Sequence, residues 1–308
     1  MLKDKHLLKL EDYPKEDIQN IIETAFTFRE VLDRPIKKVP SLKGITVVNL
    51  FFENSTRTRI SFELAQKRLS ADTVNFSAPT SSLKKGESFK DTAQNIEAMK
   101  IDAVVMRHPT PGAPKHLTDF IDAVVINAGD GTHEHPTQAI LDMMSLKEKF
   151  GYIKGLNVGI IGDINHSRVA RSNIYGLVTM GANVTLCGPP NLIPDNIINL
   201  GVKVNYNIDE VIEWADAVNV LRIQRERMGI GIIPSEREYR TLFGVTEERL
   251  ARRGNELVIM HPGPMNRGVE IDDRVADSDQ AIILDQVLNG VASRMSILYL
   301  LLGSKEEG

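Results

Sequence analysis

Residues 45–69, ITVVNLFFENSTRTRISFELAQKRL, change from a strand pattern to a helix pattern across one polar cluster. Ile45–Phe52 is a short apolar run rich in β-branched residues, and Arg57–Leu69 carries apolar residues at helical spacing. Ser55–Thr58 lies at the junction, where a segment that only built a core would need no such cluster. The stretch predicts a strand-helix unit of a parallel sheet, with a site for an oxyanion at the junction.

The same alternation of apolar runs and amphipathic segments continues through nearly the whole chain. It predicts two doubly wound parallel-sheet α/β domains joined by long helices, with limits at 1–137 plus 287–308 and at 138–286. Further strand candidates are Ala103–Arg107, Ala123–Asn127, Leu156–Ile161, Asn183–Leu186, Val202–Asn205, Ala217–Leu221 and Glu256–Met260. Further helix candidates are Glu87–Lys100, Pro136–Phe150, Arg168–Met180, Ile208–Trp214 and a last helix over about Asp285–Leu302.

Length and composition exclude several classes of protein. A chain of 308 residues with 42% hydrophobic and 25% charged residues is long enough for two globular domains. The net charge is −4 and no dense Lys/Arg block occurs, so nucleic acid and anionic membranes gain little support as partners. The single Cys187 excludes an intramolecular disulfide and fits a reducing cytosol, and the N-terminal residues lack an apolar leader. We expect a cytoplasmic protein.

Polar clusters follow most of the predicted strands. They comprise residues 53–58, 107–109, 129–138, 162–168, 222–224 and 261–267. Because ligands of parallel α/β sheets bind beyond the carboxyl ends of the strands, we expect these clusters to line a cleft between the two domains.

The cluster Ser55–Thr58 has the composition of a phosphate site. A helix that begins near Ser55 or Thr56 offers free backbone N–H groups and the positive end of its dipole. Hydroxyl donors and the guanidinium of Arg57 would complete the site. The alternative is structural, because Ser55 alone would serve as an ordinary helix N-cap.

Three more clusters have both a functional and a structural interpretation. Arg107 ends a predicted strand and either reaches a phosphate or carbonyl oxygen or forms a structural salt bridge. His133 and His135 are not four residues apart, so a hydrogen-bonding neutral histidine, with Gln138 one turn later, is favoured over a metal site. Lys84 and Lys85 supply charge to an anion or belong to a solvated loop.

The second half of the chain adds groups for a second substrate. Arg168 begins a helix and is placed to bind a carboxylate. The preceding turn, GIIGD, imitates a dinucleotide fingerprint but lacks its spacing. The prolines in 261–264 leave backbone carbonyls as acceptors for a substrate –NH2. With no catalytic carboxylate pair and no activated cysteine, such a set of groups positions reactants and stabilises charge.

Four motifs, in this order, resemble the aspartate/ornithine carbamoyltransferase family over essentially the whole chain. They are STRTR, KKGES, HPTQ and HPGPMNRG. The segments LRIQRER and HPGPMNRG are similar to the aspartate enzymes of the family. The ornithine enzymes carry an SMG loop and an HCLP cysteine instead, whereas Cys187 lies in LCGPP.

The resemblance implies roles for individual residues. Carbamoyl phosphate would be bound by Ser55, Thr56, Arg57, Thr58, Arg107, His135, Gln138, Pro262, Gly263 and Pro264, with Ser81 from a neighbouring subunit. Aspartate would be bound by Arg168, Arg222 and Gln224, with Lys85 from that neighbour. Thr58, Arg107 and His135 would polarise the carbonyl, and Gln138 with the Pro262 and Gly263 carbonyls would hold the –NH2. Ser81 is chosen over Ser82 for its distance along the chain from Lys85.

The resemblance also implies the reaction. The α-amine of L-aspartate would attack carbamoyl phosphate, without cofactor or metal, to give N-carbamoyl-L-aspartate and phosphate for pyrimidine biosynthesis. Family members are trimers, and the trimer would stand alone or in a larger assembly with regulatory chains or dihydroorotase. Three alternatives remain open: ornithine as the acceptor, a non-catalytic phosphate-binding subunit, and a nucleotide-dependent oxidoreductase built on the GIIGD turn.

Overall fold

The computed structural model describes residues 2–77, 88–224, 235–253 and 256–303. The chain divides into two compact units, Met1–Met144 with Leu288–Gly308, and Ser145–Val287. Both divisions fall inside long helices, so each helix belongs to two units. The domain limits expected at 137/138 and 286/287 remain a prediction.

The first unit is built on a four-stranded parallel sheet in the order β2-β1-β3-β4. Its strands are β1 (Thr46–Phe51), β2 (Asp72–Ser77), β3 (Ala103–His108) and β4 (Val124–Asp130). Its helices are α1 (Lys15–Asp33), α2 (Thr56–Arg68), α3 (Phe89–Ala98), α4 (Ala113–Leu117) and α5 (Pro136–Phe150), which continues into the second unit.

The second unit is built on a five-stranded parallel sheet in the order β7-β6-β5-β8-β9. Its strands are β5 (Asn157–Ile161), β6 (Asn183–Cys187), β7 (Lys203–Val204), β8 (Ala217–Val220) and β9 (Val258–Met260). Its helices are α6 (Arg168–Met180), α7 (Ile208–Trp214), α8 (Glu236–Phe243), α9 (Glu247–Arg253) and α10 (Asp273–Ala276), and α11 (Ile283–Leu302) begins here and ends in the first unit. Two short 3₁₀ helices cover Pro190–Leu192 and Ile197–Leu200.

Each sheet reverses its winding direction at a central strand. In the first sheet β1 lies between β2 and β3, and in the second β5 lies between β6 and β8. Such a reversal opens a crevice at the carboxyl ends of the two strands that flank it. The registers place Phe51 beside Arg107 in one unit and Ile161 beside Val220 in the other. The predicted fold class is confirmed, and each sheet has one such reversal.

The apolar runs of the sequence form the cores. Val48, Leu50, Val104 and Met106 are buried in the first unit, and equivalent strand residues of β5, β8 and β9 are buried in the second. The strand β2 is absent from the sequence prediction, because DTVNFS is interrupted by polar residues, as suits the edge of a sheet. In the described part of the chain, no helix combines the length and apolar character needed to cross a bilayer.

Candidate active site

The start of α2 has no side-chain cap. Ser55 occupies the N-cap position in an extended conformation, and its side chain makes no capping hydrogen bond. The first intrahelical bond runs from the Arg59 N–H to the Ser55 carbonyl, at 3.2 Å, so the hydrogen-bond ladder of the helix begins only at Arg59. Thr56 and Arg57 are exposed and Thr58 is buried. Hydroxyls, backbone donors and the helix dipole therefore meet at one helix start.

Arg107 is held at the carboxyl edge of the first sheet by both neighbouring strands. Its Nε lies 3.3 Å from Glu53 Oε2, just beyond β1, and Nη1 donates to the Ala128 carbonyl of β4 at 3.3 Å. The Phe52 N–H donates to the Arg107 carbonyl at 2.8 Å, which fixes the backbone. The sequence left a salt bridge and a ligand-binding role open, and the structure shows the salt bridge.

Two buried acids, missed from the sequence, shape the loop before α5. The Asp130 carboxylate accepts hydrogen bonds from the N–H groups of Gly112 at 2.7 Å and Glu134 at 3.1 Å, and lies 3.0 Å from His133 Nδ1. The Glu134 carboxylate accepts from the N–H groups of Leu10 at 2.7 Å and of residue 11 at 3.1 Å. Their signal was the row of charged and glycine residues GDGTHEH, in which a ligand role was considered only for the histidines and the glutamate.

His135 and Gln138 stand at the start of α5, and both are buried. The His135 carbonyl accepts the Gln138 N–H at 2.9 Å, which begins the helix. His135 Nδ1 lies 3.5 Å from the Thr137 hydroxyl. When that hydroxyl donates, the neutral ring carries its proton on Nε2 and becomes a donor there. The side-chain amide nitrogen of Gln138 donates to Asp142 Oδ1 at 2.9 Å.

In the second unit, Arg168 is the first residue of α6 and is buried. The helix start is capped by the Ser167 hydroxyl, which accepts the Ala170 N–H at 3.1 Å. Just before it, the buried Asp163 accepts from the His166 N–H at 3.1 Å and lies 2.9 Å from His166 Nδ1. Burial raises the pKa of Asp163, and the hydrogen bonds from His166 oppose that rise.

Asp163 also ties the ends of β5 and β8 together, because it accepts the backbone N–H of Gln224. Arg222 and Gln224 are half-buried and alternate with the buried Leu221 and Ile223. In an extended segment this alternation turns the Arg222 and Gln224 side chains to one face. The sequence predicted a role for both residues but missed Asp163, whose carboxylate accepts the Gln224 N–H.

His261 holds the turn after β9 in place through its backbone and both ring nitrogens. Its Nδ1 accepts the Gly263 N–H at 2.8 Å, its backbone N–H donates to Gln286 Oε1 at 2.9 Å, and its Nε2 lies 3.4 Å from Glu270 Oε1. Gly263 has a φ of 62°, which favours glycine. Within the described residues, the carbonyls of Pro262 and Gly263 accept no backbone hydrogen bond. These carbonyls are suited to accept from a substrate –NH2.

The predicted residues thus form one group in each unit. At the carboxyl ends of β1, β3 and β4 stand Ser55, Thr56, Arg57, Thr58, Arg107, His135 and Gln138. At the carboxyl ends of β5, β8 and β9 stand Arg168, Arg222, Gln224, Pro262, Gly263 and Pro264. Ser81 and Lys85 lie outside the described residues.

Two family models together match nearly the whole chain. Residues 5–148 match the aspartate/ornithine carbamoyltransferase carbamoyl-P binding domain. Residues 154–301 match the aspartate/ornithine carbamoyltransferase Asp/Orn binding domain.

Individual relatives agree with the family models. The chain is 59% identical over 301 residues to an aspartate carbamoyltransferase catalytic subunit of Cytophaga hutchinsonii, with 98% of each chain covered. It is similar to the crystal structure of Trypanosoma cruzi aspartate transcarbamoylase in complex with carbamoyl phosphate, with a TM-score of 0.88, 30% identity and 97% and 96% of the two chains covered. It is also similar to ornithine carbamoyltransferase from Pyrococcus furiosus, with a TM-score of 0.85, 29% identity and 98% of each chain covered.

Proposed function

The chain belongs to the aspartate/ornithine carbamoyltransferase family, and we propose that it transfers the carbamoyl group of carbamoyl phosphate to the α-amine of L-aspartate. The family predicted from the sequence is confirmed. The observation that carries the proposed chemistry is the start of α2, which is rich in hydroxyls and has no side-chain cap. It comes shortly after Glu53, which forms an ion pair with Arg107. The product, N-carbamoyl-L-aspartate, would enter pyrimidine biosynthesis.

Aspartate is favoured over ornithine by sequence and by charge. The curated relatives at 59% and 58% identity are aspartate carbamoyltransferase catalytic subunits. The fold does not discriminate, because the ornithine enzyme of Pyrococcus furiosus is similar over 98% of the chain. Aspartate has two carboxylates to pair with Arg168 and Arg222, whereas the side chain of ornithine carries a cation that these arginines would repel.

The two ends of carbamoyl phosphate would be bound by different residues. Ser55, Thr56, Arg57 and the N–H groups of α2 would bind the phosphate, because a helix start with hydroxyl donors suits a dianion. Thr58, Arg107 and His135 would donate to the carbonyl oxygen. Gln138 and the carbonyls of Pro262 and Gly263 would accept from the –NH2.

The reaction would proceed through a tetrahedral intermediate. The neutral amine of aspartate forms a bond with the carbonyl carbon, and the negative charge on the carbonyl oxygen is stabilised by Thr58, Arg107 and the Nε2 proton of His135. The carbon–oxygen bond to phosphate then breaks, and the departing phosphate accepts the proton of the amine. Fixed donors of this kind contribute on the order of 3 kcal/mol each to the lowering of the barrier.

The site would be completed in a homotrimer, because a neighbouring subunit would contribute residues to it. This trimer would be cytoplasmic. Its support is a set of exposed apolar side chains on the first unit: Ile60 and Leu64 of α2 are 47% and 38% exposed, and Val74 of the edge strand β2 is 48% exposed. Exposed apolar side chains on a helix and on an edge strand suit an interface with another copy of the chain. The segment with Ser81 and Lys85 follows β2 directly along the chain, so each copy would lend both residues to its neighbour. The trimer would stand alone or in a larger assembly with regulatory chains or dihydroorotase.

The substrate proposal is tested by supplying purified protein with carbamoyl phosphate and either L-aspartate or L-ornithine. We expect N-carbamoyl-L-aspartate at a rate at least about a hundredfold above citrulline, by the charge discrimination described above. Equal or faster use of ornithine would overturn the choice of acceptor. Failure to use either would restore the interpretation as a non-catalytic phosphate-binding subunit.

The shared site is tested by mixing two inactive variants, Lys85→Ala and Arg107→Met, after partial dissociation. If subunits share sites, mixed trimers contain some sites with neither substitution, and part of the activity returns. No recovery in mixtures that have exchanged subunits contradicts the sharing.

A further inference from the structure

Arg294 is a buried arginine on α11 that contacts α2. Arg294 is 3% exposed, its Nη1 donates to Ser61 Oγ at 2.9 Å and to the Gly290 carbonyl at 2.8 Å, and its guanidinium carbon lies 5.0 Å from the centre of the Phe62 ring. Gly290 leaves room for it, because a Cβ there would lie 2.6 Å from Arg294 Nη1. Since Ser61 and Phe62 belong to α2, Arg294 connects the C-terminal helix with the helix of the proposed phosphate site.

The charge that faces Arg294 is Asp142. Burial lowers the pKa of Arg294 to about 10, and the negative charge of Asp142 opposes that fall, so the guanidinium is charged at neutral pH. Asp142 has no exposed surface and lies on α5 one turn after Gln138. A buried carboxylate is stable as an anion only beside a counter-charge and donors. Arg294 and the Gln138 amide supply both.

The contact with Asp142 decides which way the Gln138 amide faces. A carboxylate anion only accepts hydrogen bonds, so the amide nitrogen must face it, as the 2.9 Å contact from Gln138 Nε2 to Asp142 Oδ1 shows. The amide oxygen is consequently turned away from Asp142. The –NH2 of a carbamoyl group only donates here and needs an acceptor, whereas a rotated amide would oppose one N–H with another.

We propose that Asp142 is a positioning residue that orients the Gln138 amide oxygen to accept from the carbamoyl –NH2. The site thereby distinguishes carbamoyl phosphate from acyl phosphates that lack this donor. The inference rests on the proposed function, because it concerns the same substrate. Asp142 acts only through Gln138 and does not contact the reacting atoms.

Acetyl phosphate is the probe that isolates this effect, because it replaces the –NH2 with a methyl group of similar size and keeps the phosphate and carbonyl. The test measures the KM of carbamoyl phosphate and the competitive inhibition constant of acetyl phosphate in the wild type and in Asp142→Asn. The side-chain amide that this substitution introduces both donates and accepts, so Gln138 is free to rotate. We expect the preference for carbamoyl over acetyl phosphate to fall about tenfold, with acetyl phosphate binding nearly unchanged.

Three controls separate positioning from general damage. Asp17→Asn changes another buried acid of the first unit, which accepts the Lys3 N–H at 2.9 Å, and should leave the preference unchanged. In Gln138→Ala the preference should already be lost, and adding Asp142→Asn should remove nothing more. If Asp142→Asn does not fold, Asp142→Asn with Arg294→Met removes both charges together and leaves neither one unpaired. That double variant should show the same loss of preference.

Each result decides the proposal. A parallel loss of affinity for both phosphates, additive losses with Gln138→Ala, or an unchanged preference in Asp142→Asn or in the double variant would overturn it. The proposed function fails separately, if the wild-type protein transfers no carbamoyl group to L-aspartate.

Discussion

The two units begin a helix at the same place in their sheets and use that helix differently. Both α2 and α6 follow the strand at which the winding reverses, and both have a serine at the N-cap position. Ser167 uses its hydroxyl to cap the Ala170 N–H, whereas the Ser55 side chain makes no capping bond. One helix start is closed by its own chain, and the other is open to a ligand. The same residue in the same position therefore stabilises one unit and is available to bind phosphate in the other.

The donors of the two units differ accordingly. The first unit offers backbone N–H groups and hydroxyls at a helix start, which suit a phosphate. The second offers long side chains, the buried Arg168 and the half-buried Arg222, which suit carboxylates. The comparison predicts that changes at the start of α2 and at Arg107 impair carbamoyl phosphate binding and the chemistry, whereas changes at Arg168 and Arg222 impair aspartate binding.

The largest effect is expected for Arg107→Met. Loss of a donor to the developing oxyanion should lower kcat about 100- to 1,000-fold, because that contact strengthens in the transition state. Steady-state kinetics checks this, with Arg59→Met, an exposed arginine of α2, as the control. A kcat within a few-fold of the wild type would restrict Arg107 to its salt bridge with Glu53.

A smaller effect is expected for Arg168→Lys. The substitution keeps the charge but loses the planar fork that pairs with a carboxylate, so the KM of aspartate should rise about tenfold. The affinity for carbamoyl phosphate, measured by binding without aspartate, should stay unchanged. Arg171→Lys, one turn later on α6, is the control. A tenfold loss of affinity for carbamoyl phosphate as well would contradict the assignment of Arg168 to aspartate alone.

Alanine substitutions of Ser167 and Ser55 are expected to have opposite effects: the first on stability and the second on substrate binding. Ser167→Ala removes a cap and should lower the free energy of unfolding by about 1 kcal/mol. Ser55→Ala should change stability by less than about 0.5 kcal/mol, since it removes no capping bond, while raising the KM of carbamoyl phosphate. Chemical unfolding and steady-state kinetics on both variants check this. Equal destabilisation by the two substitutions would contradict the comparison.

The smallest effect concerns Cys187 in the core of the second unit. Burial raises the pKa of its thiol from an ordinary 9.0 to about 12, so the folded protein holds almost no thiolate at pH 8. A raised pKa in the folded state means that this contribution to stability is complete below pH 9.0 and falls as the pH rises toward 12. We expect a thiol reagent to label Cys187 at pH 8 only after unfolding, with Cys187→Ser as the blank. Rapid stoichiometric labelling of the native protein would show an open second unit.

Much of the fold was readable from the sequence. The predicted bounds of α5, α6 and α7 are those of the structure, because apolar periodicity and N-terminal signals coincide there. The edge strand β2 was missed, because exposure on one side leaves its apolar pattern interrupted. The types of residue at the strand ends were also predicted, since strand ends are recognisable without knowing which strands pair.

The sequence by itself determined the parallel α/β class, the polar strand ends and the family, because these depend on local patterns and on motifs in order. Only the tertiary structure decided which serine caps a helix and which acids orient the site. Asp130, Glu134, Asp142 and Glu270 look like ordinary charged residues until their partners are known. Those partners include residues far along the chain, as the Arg294 bond to Ser61, 233 positions away, illustrates. Hydrogen bonds and buried charge pairs depend on distance in space, and only folding sets that distance.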